Sequence, residues 1–348
     1  MQEFPRGLYA SPFRPAWWLR NPHAQTLFST LFRRPPALSR RRETLSLPDG
    51  DFLDLDWLTP PGWQPETPLV VVVHGLSGSS ESHYVLGLQA ALAARGWASI
   101  GLNCRGASRP NHLPRAYHAG ASDDLAAVLA ALRARHPETP LALVGYSLGG
   151  NMTLKLMGET GQAAPVFAAV AVSVPLLLPV CADRLDQGFS RVYRQHFMAE
   201  LTAQWEARMR HLEARGDPAA AERVRAHLRQ GPFRSFWHYD DAVMAPLHGF
   251  ADVHDYYRRA SSRPFLRQIT RPTLVIQSAD DPFMTPGVLP DAAELGPGVH
   301  FELCRAGGHV GFIEGGSPRA PRYYLERRIP AFLQAVQQAI QGADELLG

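Results

Sequence analysis

The sequence predicts an α/β fold with a mostly parallel sheet that is flanked by helices, and three observations lead to it. Short, continuous apolar runs alternate with segments in which apolar residues recur at helical spacing. A glycine-rich turn that carries a serine joins one apolar run to the helical segment after it. The alternation fails in one long interval, which indicates an inserted helical cap.

The N-terminal part of the chain departs from this alternation. Residues 1–40 are rich in Pro, Arg and Trp, and we expect them to form an extension that packs on the main domain. Residues 43–47 and 52–58 alternate apolar and polar side chains around Pro48-Asp49-Gly50, a pattern that is typical of a β-hairpin.

The alternating part of the chain supplies the other predicted elements. Uniformly apolar runs indicate strands that are covered on both faces, and the helices between them indicate right-handed crossovers in a parallel sheet. The predicted strands are 69–73, 98–102, 141–144, 166–174, 273–277 and 300–303. The predicted helices are 84–95, 122–135, 148–157 and 323–347.

The interval between Pro175 and Pro272 is too long for a single crossover. It contains helical segments of its own, 201–211 and 218–230, separated by a Gly-Asp-Pro break that suits a helical hairpin. We interpret the interval as a cap inserted after the sixth strand. The predicted domains are then an α/β core of residues 41–175 and 270–348 and a cap of residues 176–269.

Composition indicates an ordinary globular protein and excludes several kinds of partner. Of the 348 residues, 45% are hydrophobic and 19% are charged, which argues against disorder and fibrous repeats. The net charge is only +3 and the basic residues are dispersed, so no nucleic acid partner is expected. The longest apolar run is interrupted by prolines, and the N-terminus lacks an apolar signal stretch. We therefore expect a cytoplasmic protein without stable membrane insertion.

Neither the cysteines nor the histidines follow a metal-binding pattern. The three cysteines lie far apart without a Cys-x-x-Cys pair, and we interpret each as a small buried side chain: Cys104, Cys181 and Cys304. Five further histidines are scattered without ligand spacing: His112, His118, His238, His248 and His254. No metal and no cofactor are expected.

The turn at residues 144–151 is typical of a nucleophile elbow, the strand-turn-helix corner that exposes a serine hydroxyl. Its sequence is Val-Gly-Tyr-Ser-Leu-Gly-Gly-Asn. So sharp a turn puts Ser147 in strained backbone angles and leaves room only for glycine two positions before and after it. The apolar run before the turn and the helical segment after it favour this interpretation over an accidental match. Ser147 is the predicted nucleophile.

A nucleophilic serine needs a base, and hydrolases with this turn supply their triad in the chain order Ser, acid, His. His309 follows the last predicted strand within Gly307-Gly308-His309-Val310-Gly311, and it is the predicted base. Asp280 and Asp281 follow the strand before it, at the sheet edge where a carboxylate is needed. We favour Asp281, because the acid usually precedes the short apolar stretch that turns away from the strand.

Backbone N–H groups are the predicted oxyanion donors. The N–H of Leu148 begins the helix after Ser147, where the positive end of the helix favours developing negative charge. The N–H of Leu76, in the loop His74-Gly75-Leu76-Ser77-Gly78, is the second candidate. We do not expect this loop to bind nucleotide phosphates, because it lacks the lysine of a phosphate-binding loop.

Other polar and aromatic residues have two interpretations each. Arg105, after the fourth strand, could orient a substrate carboxylate or phosphate, but a buried arginine that pairs with Asp123 or Asp124 is the preferred interpretation. Four aromatic residues are expected on the inner side of the cap, as an acyl-binding wall or simply as cap core: Trp237, Phe250, Tyr256 and Tyr257.

Eight segments together carry a family resemblance. They are Asn21-Pro22-His23, His74-Gly75-Leu76-Ser77-Gly78, Asn103-Cys104-Arg105-Gly106, Tyr117-His118-Ala119-Gly120, Gly145-Tyr146-Ser147-Leu148-Gly149-Gly150-Asn151, Ala245-Pro246-Leu247-His248-Gly249-Phe250, Asp280-Asp281-Pro282-Phe283 and Gly307-Gly308-His309-Val310-Gly311-Phe312. The chain resembles the AB-hydrolase-4 family of α/β-hydrolases, which includes YheT-like, EMB8-like and ABHD1-ABHD3-type hydrolases and yeast medium-chain ethyl ester synthases/esterases. The resemblance implies a serine carboxylesterase with a triad of Ser147, Asp281 and His309. Unlike the eukaryotic members, the sequence has no recognisable N-terminal anchor, which argues against phospholipid remodelling.

The predicted function is hydrolysis of short- to medium-chain acyl esters through an acyl-enzyme on Ser147, with a small-molecule ester as the partner. One alternative is acyl transfer to an alcohol, as in an ester synthase, and another is a lipase- or phospholipase-like activity. A third is a binding protein that keeps the fold without the chemistry, but the intact Ser, Asp and His argue against it.

Overall fold

A nine-stranded sheet forms the centre of the computed structural model, which describes residues 5–347. The strand order across the sheet is β1-β9-β8-β7-β6-β4-β5-β3-β2, and β10 and β11 form a separate hairpin. The strands are β1 (Gly7–Ala10), β2 (Arg41–Ser46), β3 (Phe52–Leu58), β4 (Leu69–Val73), β5 (Ala98–Asn103), β6 (Leu141–Tyr146), β7 (Ala168–Val172), β8 (Thr273–Ser278), β9 (Val299–Cys304), β10 (Ile313–Ser317) and β11 (Ala320–Tyr323).

Most of the sheet is parallel, as predicted. In the nine-stranded sheet the pairs β2–β3 and β3–β5 are antiparallel, and the other neighbouring strands pair in parallel. Every residue of β4, β6 and β7 is buried, because one apolar cluster covers each face of the sheet. The uniform Val, Leu and Ala runs follow from this two-sided burial, and the α/β fold class is confirmed.

Helices cover the sheet, and a further group of helices is inserted between β7 and β8. The helices are α1 (Pro22–Phe32), α2 (His83–Ala93), α3 (Ser122–Arg135), α4 (Leu148–Thr160), α5 (Leu178–Leu185), α6 (Ser190–Ala214), α7 (Pro218–Leu228), α8 (Phe236–Tyr239), a π-helical segment (Asp240–Met244), α9 (Ala245–Leu247), α10 (Val253–Ala260) and α11 (Tyr324–Leu347). Short 3₁₀ turns lie at Gly161–Ala163, Arg263–Gln268, Pro286–Val288 and Ala292–Glu294.

The N-terminal residues contribute more than the predicted extension, because β1 pairs in parallel with β9 at the edge of the sheet. The pattern analysis missed β1, since the strand has four residues and its side chains alternate between partly buried and exposed. The helix α1 follows, with the Asn21 side chain accepting a hydrogen bond from the Ala24 N–H at its start.

The helical insertion, from α5 to α10, has a hydrophobic cluster of its own. Its predicted break is present: α6 ends at Ala214, Gly216 has a φ of +83°, and the Asp217 carboxylate accepts from the Ala220 N–H at the start of α7. The helix α6 begins well before residue 201, where the sequence predicted its start. Polar residues in its first turns obscure the spacing of apolar residues that is typical of a helix. The assignment of residues 176–269 as a cap domain stays a prediction. Among the helices of residues 5–347, none is both long and apolar enough to cross a membrane.

Candidate active site

The turn between β6 and α4 places Ser147 in the strained backbone conformation expected of an elbow. Its φ is +51° and its ψ is −118°, a combination of backbone angles that residues other than glycine rarely adopt. A Cβ on Gly145 would lie 2.3 Å from the Gly149 carbonyl oxygen, and a Cβ on Gly149 would lie 2.5 Å from the His74 carbonyl oxygen. The crowding explains the Gly-x-Ser-x-Gly spacing, because any side chain at either position would push the turn apart.

Three predicted side chains meet at this turn. The Ser147 Oγ lies 2.9 Å from the His309 Nε2, and the His309 Nδ1 lies 2.8 Å from the Asp281 Oδ2. The Asp281 and His309 side chains are almost completely buried. A chain of hydrogen bonds therefore joins a serine hydroxyl to a buried carboxylate through one imidazole, the arrangement in which a serine can lose its proton to a base.

The two adjacent aspartates have different contacts. The other oxygen of Asp281 accepts a hydrogen bond of 2.8 Å from the Phe283 N–H, which fixes the carboxylate in place. Asp280 turns away from the imidazole; it accepts from the Gly308 N–H at 3.0 Å and from the Ser278 hydroxyl. Of the two, Asp281 is the one that contacts His309, and Asp280 holds the loop that carries it.

The histidine loop has an irregular backbone that needs support. Val310 and Phe312 both have positive φ, at +57° and +46°, which costs free energy in residues with large side chains. The Val310 N–H donates to the Ser173 hydroxyl at 3.0 Å, and the Phe283 ring stacks on the imidazole at a centroid distance of 4.0 Å. These contacts restrict both the backbone and the ring plane of His309.

The helix α1 also supports this loop, a contact that the sequence analysis did not predict. The Thr26 hydroxyl accepts a hydrogen bond of 2.9 Å from the His309 N–H and donates one of 2.8 Å to the Pro22 carbonyl. The buried Gln25 side chain bonds both the N–H and the carbonyl of Ile313. The Asn21-Pro22-His23 motif was the available signal, but a motif in a different part of the sequence does not reveal what it contacts.

The two predicted oxyanion donors lie beside Ser147. A Cβ on Gly75 would lie 3.0 Å from the Ser147 Cβ, so the loop that contains Leu76 passes directly over the serine. In that loop the Tyr84 hydroxyl accepts from the Gly75 N–H and the Tyr117 hydroxyl accepts from the Ser77 N–H. Leu148 is the first residue of α4, so its N–H has no partner within the helix. The role of these two N–H groups as oxyanion donors stays a prediction.

A largely apolar cavity of about 110 Å³ opens at Ser147 and His309. Its walls come from the loop that contains Leu76, the start of α4, the loop after β8 and the helical insertion, and they include Leu76, Leu148, Leu178, Leu185, Phe197, Leu201, Trp205, Phe236, Met244, Tyr256, Tyr257 and Phe283. A cavity that holds a single water molecule has about 10–15 Å³ of such volume, so this cavity has room for a chain of several heavy atoms. Tyr256 and Tyr257 belong both to this wall and to the core of the insertion, whereas Trp237 and Phe250 only pack against that core.

Arg105 has the structural role that was preferred for it. It donates two hydrogen bonds to Asp124, at 2.8 and 2.7 Å, and also pairs with Asp51 and Asp49. Asp124, not Asp123, is the partner on α3. With three carboxylates around it and only 4% of its surface exposed, Arg105 braces the loop after β5 and does not line the cavity.

Two buried ionisable groups in the cavity wall were missed by the sequence analysis. Burial raises the pKa of Asp240 to about 7, and the Tyr257 hydroxyl donates to this carboxyl at 2.7 Å. Burial also lowers the pKa of Arg208 to about 10. Neither residue lies in a motif that the sequence analysis recognised. In the described part of the chain, no three His, Cys, Asp or Glu residues are grouped so that they could hold a metal ion.

Comparisons with known proteins show the family of the chain. Residues 68–316 match the family model described as the alpha/beta hydrolase fold. The chain is 40% identical over 331 residues to YheT, a candidate esterase of Escherichia coli (strain K12), covering 95% of both chains. It is 26% identical over 331 residues to the human phospholipase ABHD3, covering 93% of this chain and 79% of the relative. A solved structure of the Pyrococcus furiosus esterase Pf2001 has a similar fold, with a TM-score of 0.52 and 15% identity, and the match covers 87% of this chain and 99% of that one.

Proposed function

The chain belongs to the alpha/beta hydrolase fold family, within its YheT-like and EMB8-like group, and from this premise we propose that it is a serine carboxylesterase that cleaves short- to medium-chain acyl esters. The similarity to esterase-named relatives supports an esterase-like hydrolase. The observation that carries the finer proposal is the hydrogen-bonded series Ser147, His309, Asp281 at the mouth of an apolar cavity.

In the first half of the reaction, the Ser147 Oγ attacks the ester carbonyl carbon while His309 Nε2 takes the hydroxyl proton. The carbonyl oxygen becomes an oxyanion that accepts hydrogen bonds from the N–H groups of Leu76 and Leu148. One donor of this kind typically contributes on the order of 3 kcal/mol of transition-state stabilisation. His309 then gives its proton to the leaving alcohol, and the acyl group stays on Ser147.

In the second half, a water molecule attacks the acyl carbon and passes a proton to His309. Collapse of the second tetrahedral intermediate breaks the bond to Ser147, whose oxygen regains the proton, and releases the carboxylic acid. Asp281 holds the imidazole with Nδ1 protonated and stabilises the imidazolium in both halves. No cofactor takes part in any step.

The test is hydrolysis of 4-nitrophenyl esters from acetyl to palmitoyl by the wild type and by Ser147→Ala and His309→Ala. We expect activity that peaks at short or medium acyl chains, because the cavity has room for several heavy atoms only. Each variant should lose at least about a 10⁴-fold factor in kcat. A Ser147→Ala protein that still turns over the esters would exclude the acyl-enzyme mechanism.

Acyl transfer is distinguished by its product. The same reaction run with added ethanol gives the carboxylic acid if water is the acceptor and the ethyl ester if ethanol is preferred. Ethyl ester as the major product at low ethanol concentration would assign the protein as a transferase that uses the same acyl-enzyme.

A further inference from the structure

Arg208, on α6, is a buried cation without a hydrogen-bond or ion-pair partner among residues 5–347. Only 2% of its surface is exposed. Its Nε has no hydrogen-bond partner, and no described residue accepts a hydrogen bond from the guanidinium or forms an ion pair with it. A buried charge that lacks both kinds of partner is costly, so natural proteins rarely keep one without a use for it.

Carboxylates lie near Arg208, but they already bind other groups, as a comparison with Arg105 shows. Arg105 is as deeply buried and takes Asp124, Asp51 and Asp49 as partners. Asp51 is also the carboxylate with the largest electrostatic effect on Arg208. Its Oδ2 is taken by Arg105, and its Oδ1 accepts hydrogen bonds from the Asn111 amide and from two backbone N–H groups. Arg208 is left with five N–H donors and no acceptor in the described part of the chain.

Two neighbouring residues pack against the guanidinium of Arg208. Its Cζ lies 4.8 Å from the centre of the Trp205 ring, and a Cβ on Gly106 would lie 2.1 Å from its Nη2. Arg208 lines the same cavity as Ser147 and His309. With a pKa of about 10, the group stays charged at neutral pH. Asp240 lines this cavity as well, but it accepts its hydrogen bond from Tyr257 and forms no ion pair with Arg208.

We propose that Arg208 binds an anionic oxygen group of the substrate, a carboxylate or a phosphate, while the ester carbonyl lies at Ser147. The inference rests on the proposed ester hydrolysis and narrows its substrate class to acyl esters that carry a negative charge. The planar fork of the guanidinium offers two parallel N–H donors to such a group, which neutral esters cannot use. The free protein keeps the charge unpaired, and the bound substrate supplies the missing acceptor.

The test compares matched pairs of substrates that differ in one charge. The carboxylate arm uses 4-nitrophenyl hexanoate and the mono-4-nitrophenyl ester of hexanedioic acid. The phosphate arm uses 1-hexanoylglycerol and 1-hexanoylglycerol 3-phosphate. In each arm the measured quantity is the ratio of kcat/KM for the charged ester to kcat/KM for the neutral ester, in the wild type and in Arg208→Met.

We expect Arg208→Met to lower this ratio by a factor of about 10 to 100, the usual effect of losing a charge-assisted hydrogen bond. The matched control is Arg210→Met on the same helix, whose side chain is 65% exposed and should leave the ratio within twofold of the wild type. A fall in one arm alone identifies the anion that is recognised. A ratio within twofold of the wild type in both arms, for folded Arg208→Met, overturns the inference.

Two further measurements keep the outcome clear. Arg208→Met should unfold at a higher temperature than the wild type, because the substitution removes a buried, unpaired charge. If Arg208→Met does not fold, Arg208→Gln replaces it in the comparison of substrates. If no ester is hydrolysed, the proposed function fails, and calorimetric binding of hexanedioate to the wild type and to Arg208→Met tests Arg208 separately. Equal affinity in the two proteins would then contradict its role.

Discussion

At the scale of single residues, the adjacent pair Asp280 and Asp281 illustrates how two similar candidates receive different roles. Both are aspartates in the same loop after β8, and the sequence favours Asp281 only through its position before a short apolar stretch. Their side chains leave the backbone in different directions, and only Asp281 contacts His309. Asp280 contacts the backbone of the histidine loop instead. The pair therefore combines a partner for the imidazole with a brace for the loop.

Substitution of each aspartate by asparagine separates these roles. In Asp281→Asn the side-chain oxygen still accepts from the Phe283 N–H, which turns the NH₂ group toward His309 Nδ1 and favours the wrong tautomer. We expect kcat on 4-nitrophenyl esters to fall by about 10³- to 10⁴-fold. Asp280→Asn keeps an oxygen for the Gly308 N–H and should lose less than about tenfold. Equal losses in the two variants would contradict the assignment of Asp281.

At the scale of elements, α1 acts on the site although it lies near the beginning of the chain. It packs against the loop between β9 and β10, and its Thr26 hydroxyl holds the backbone of His309. The loop needs this support because Val310 and Phe312 have unfavourable positive φ angles. A helix far from His309 in the chain thus helps to hold the backbone of this residue in place.

Removal of one hydroxyl tests this support. Thr26→Val keeps the shape of the side chain but leaves the His309 N–H without its acceptor, which typically costs about 1–3 kcal/mol. We expect kcat to fall about tenfold with little change in KM, and the free energy of unfolding to fall by about 1–2 kcal/mol. Thr26→Ser, which keeps the hydroxyl, is the control and should retain both. Wild-type kcat in Thr26→Val would show that the loop holds its position without α1.

At the scale of the whole molecule, several buried and partly buried histidines connect stability to pH. Burial lowers the pKa of His74, His83 and His248 to about 4. Protonation of His74 would also break a hydrogen bond. Its Nε2 accepts one of 3.1 Å from the Cys104 N–H, and a proton on that nitrogen would remove the acceptor. In the unfolded chain these histidines take up protons near pH 6.5.

The sign of the pH dependence follows from this difference. Between pH 6.5 and 4 the unfolded chain binds more protons at the three histidines than the folded protein, so stability falls as the pH falls through that range. Each contributes on the order of 3 kcal/mol. Asp240 acts in the opposite sense: its raised pKa stabilises the folded protein below about pH 4, and this contribution is lost as the pH rises through about 7. The three histidines outweigh it.

We therefore expect the free energy of unfolding, measured with urea, to be several kcal/mol lower at pH 4.5 than at pH 7.5. The Asp240→Asn variant should lose still more over the same range, because the opposing contribution is removed. His196→Gln serves as the control, since that side chain is 67% exposed, and its pH dependence should equal that of the wild type. Stability that is unchanged or higher at pH 4.5 would show that the histidines accept protons in the folded state.

The sequence by itself determined the α/β class, the parallel strands and the elbow at Ser147. Each of these depends on contacts between residues that are close in the chain: two-sided burial demands a run of apolar side chains, and a sharp turn demands glycine at fixed positions. The sequence also brought forward Ser147, Asp281 and His309 as candidates, because loops at the ends of parallel strands meet at one edge of the sheet.

Only the tertiary structure decided which of these candidates touch and what surrounds them. The strand β1, the support of His309 by Thr26, the partners of Arg105 and the isolation of Arg208 all join residues that are far apart in the chain. Such contacts leave no periodic pattern or fixed spacing, because each depends on how whole elements pack and not on the order of neighbouring residues. The composition of the cavity wall, and with it the kind of substrate, is decided at that level.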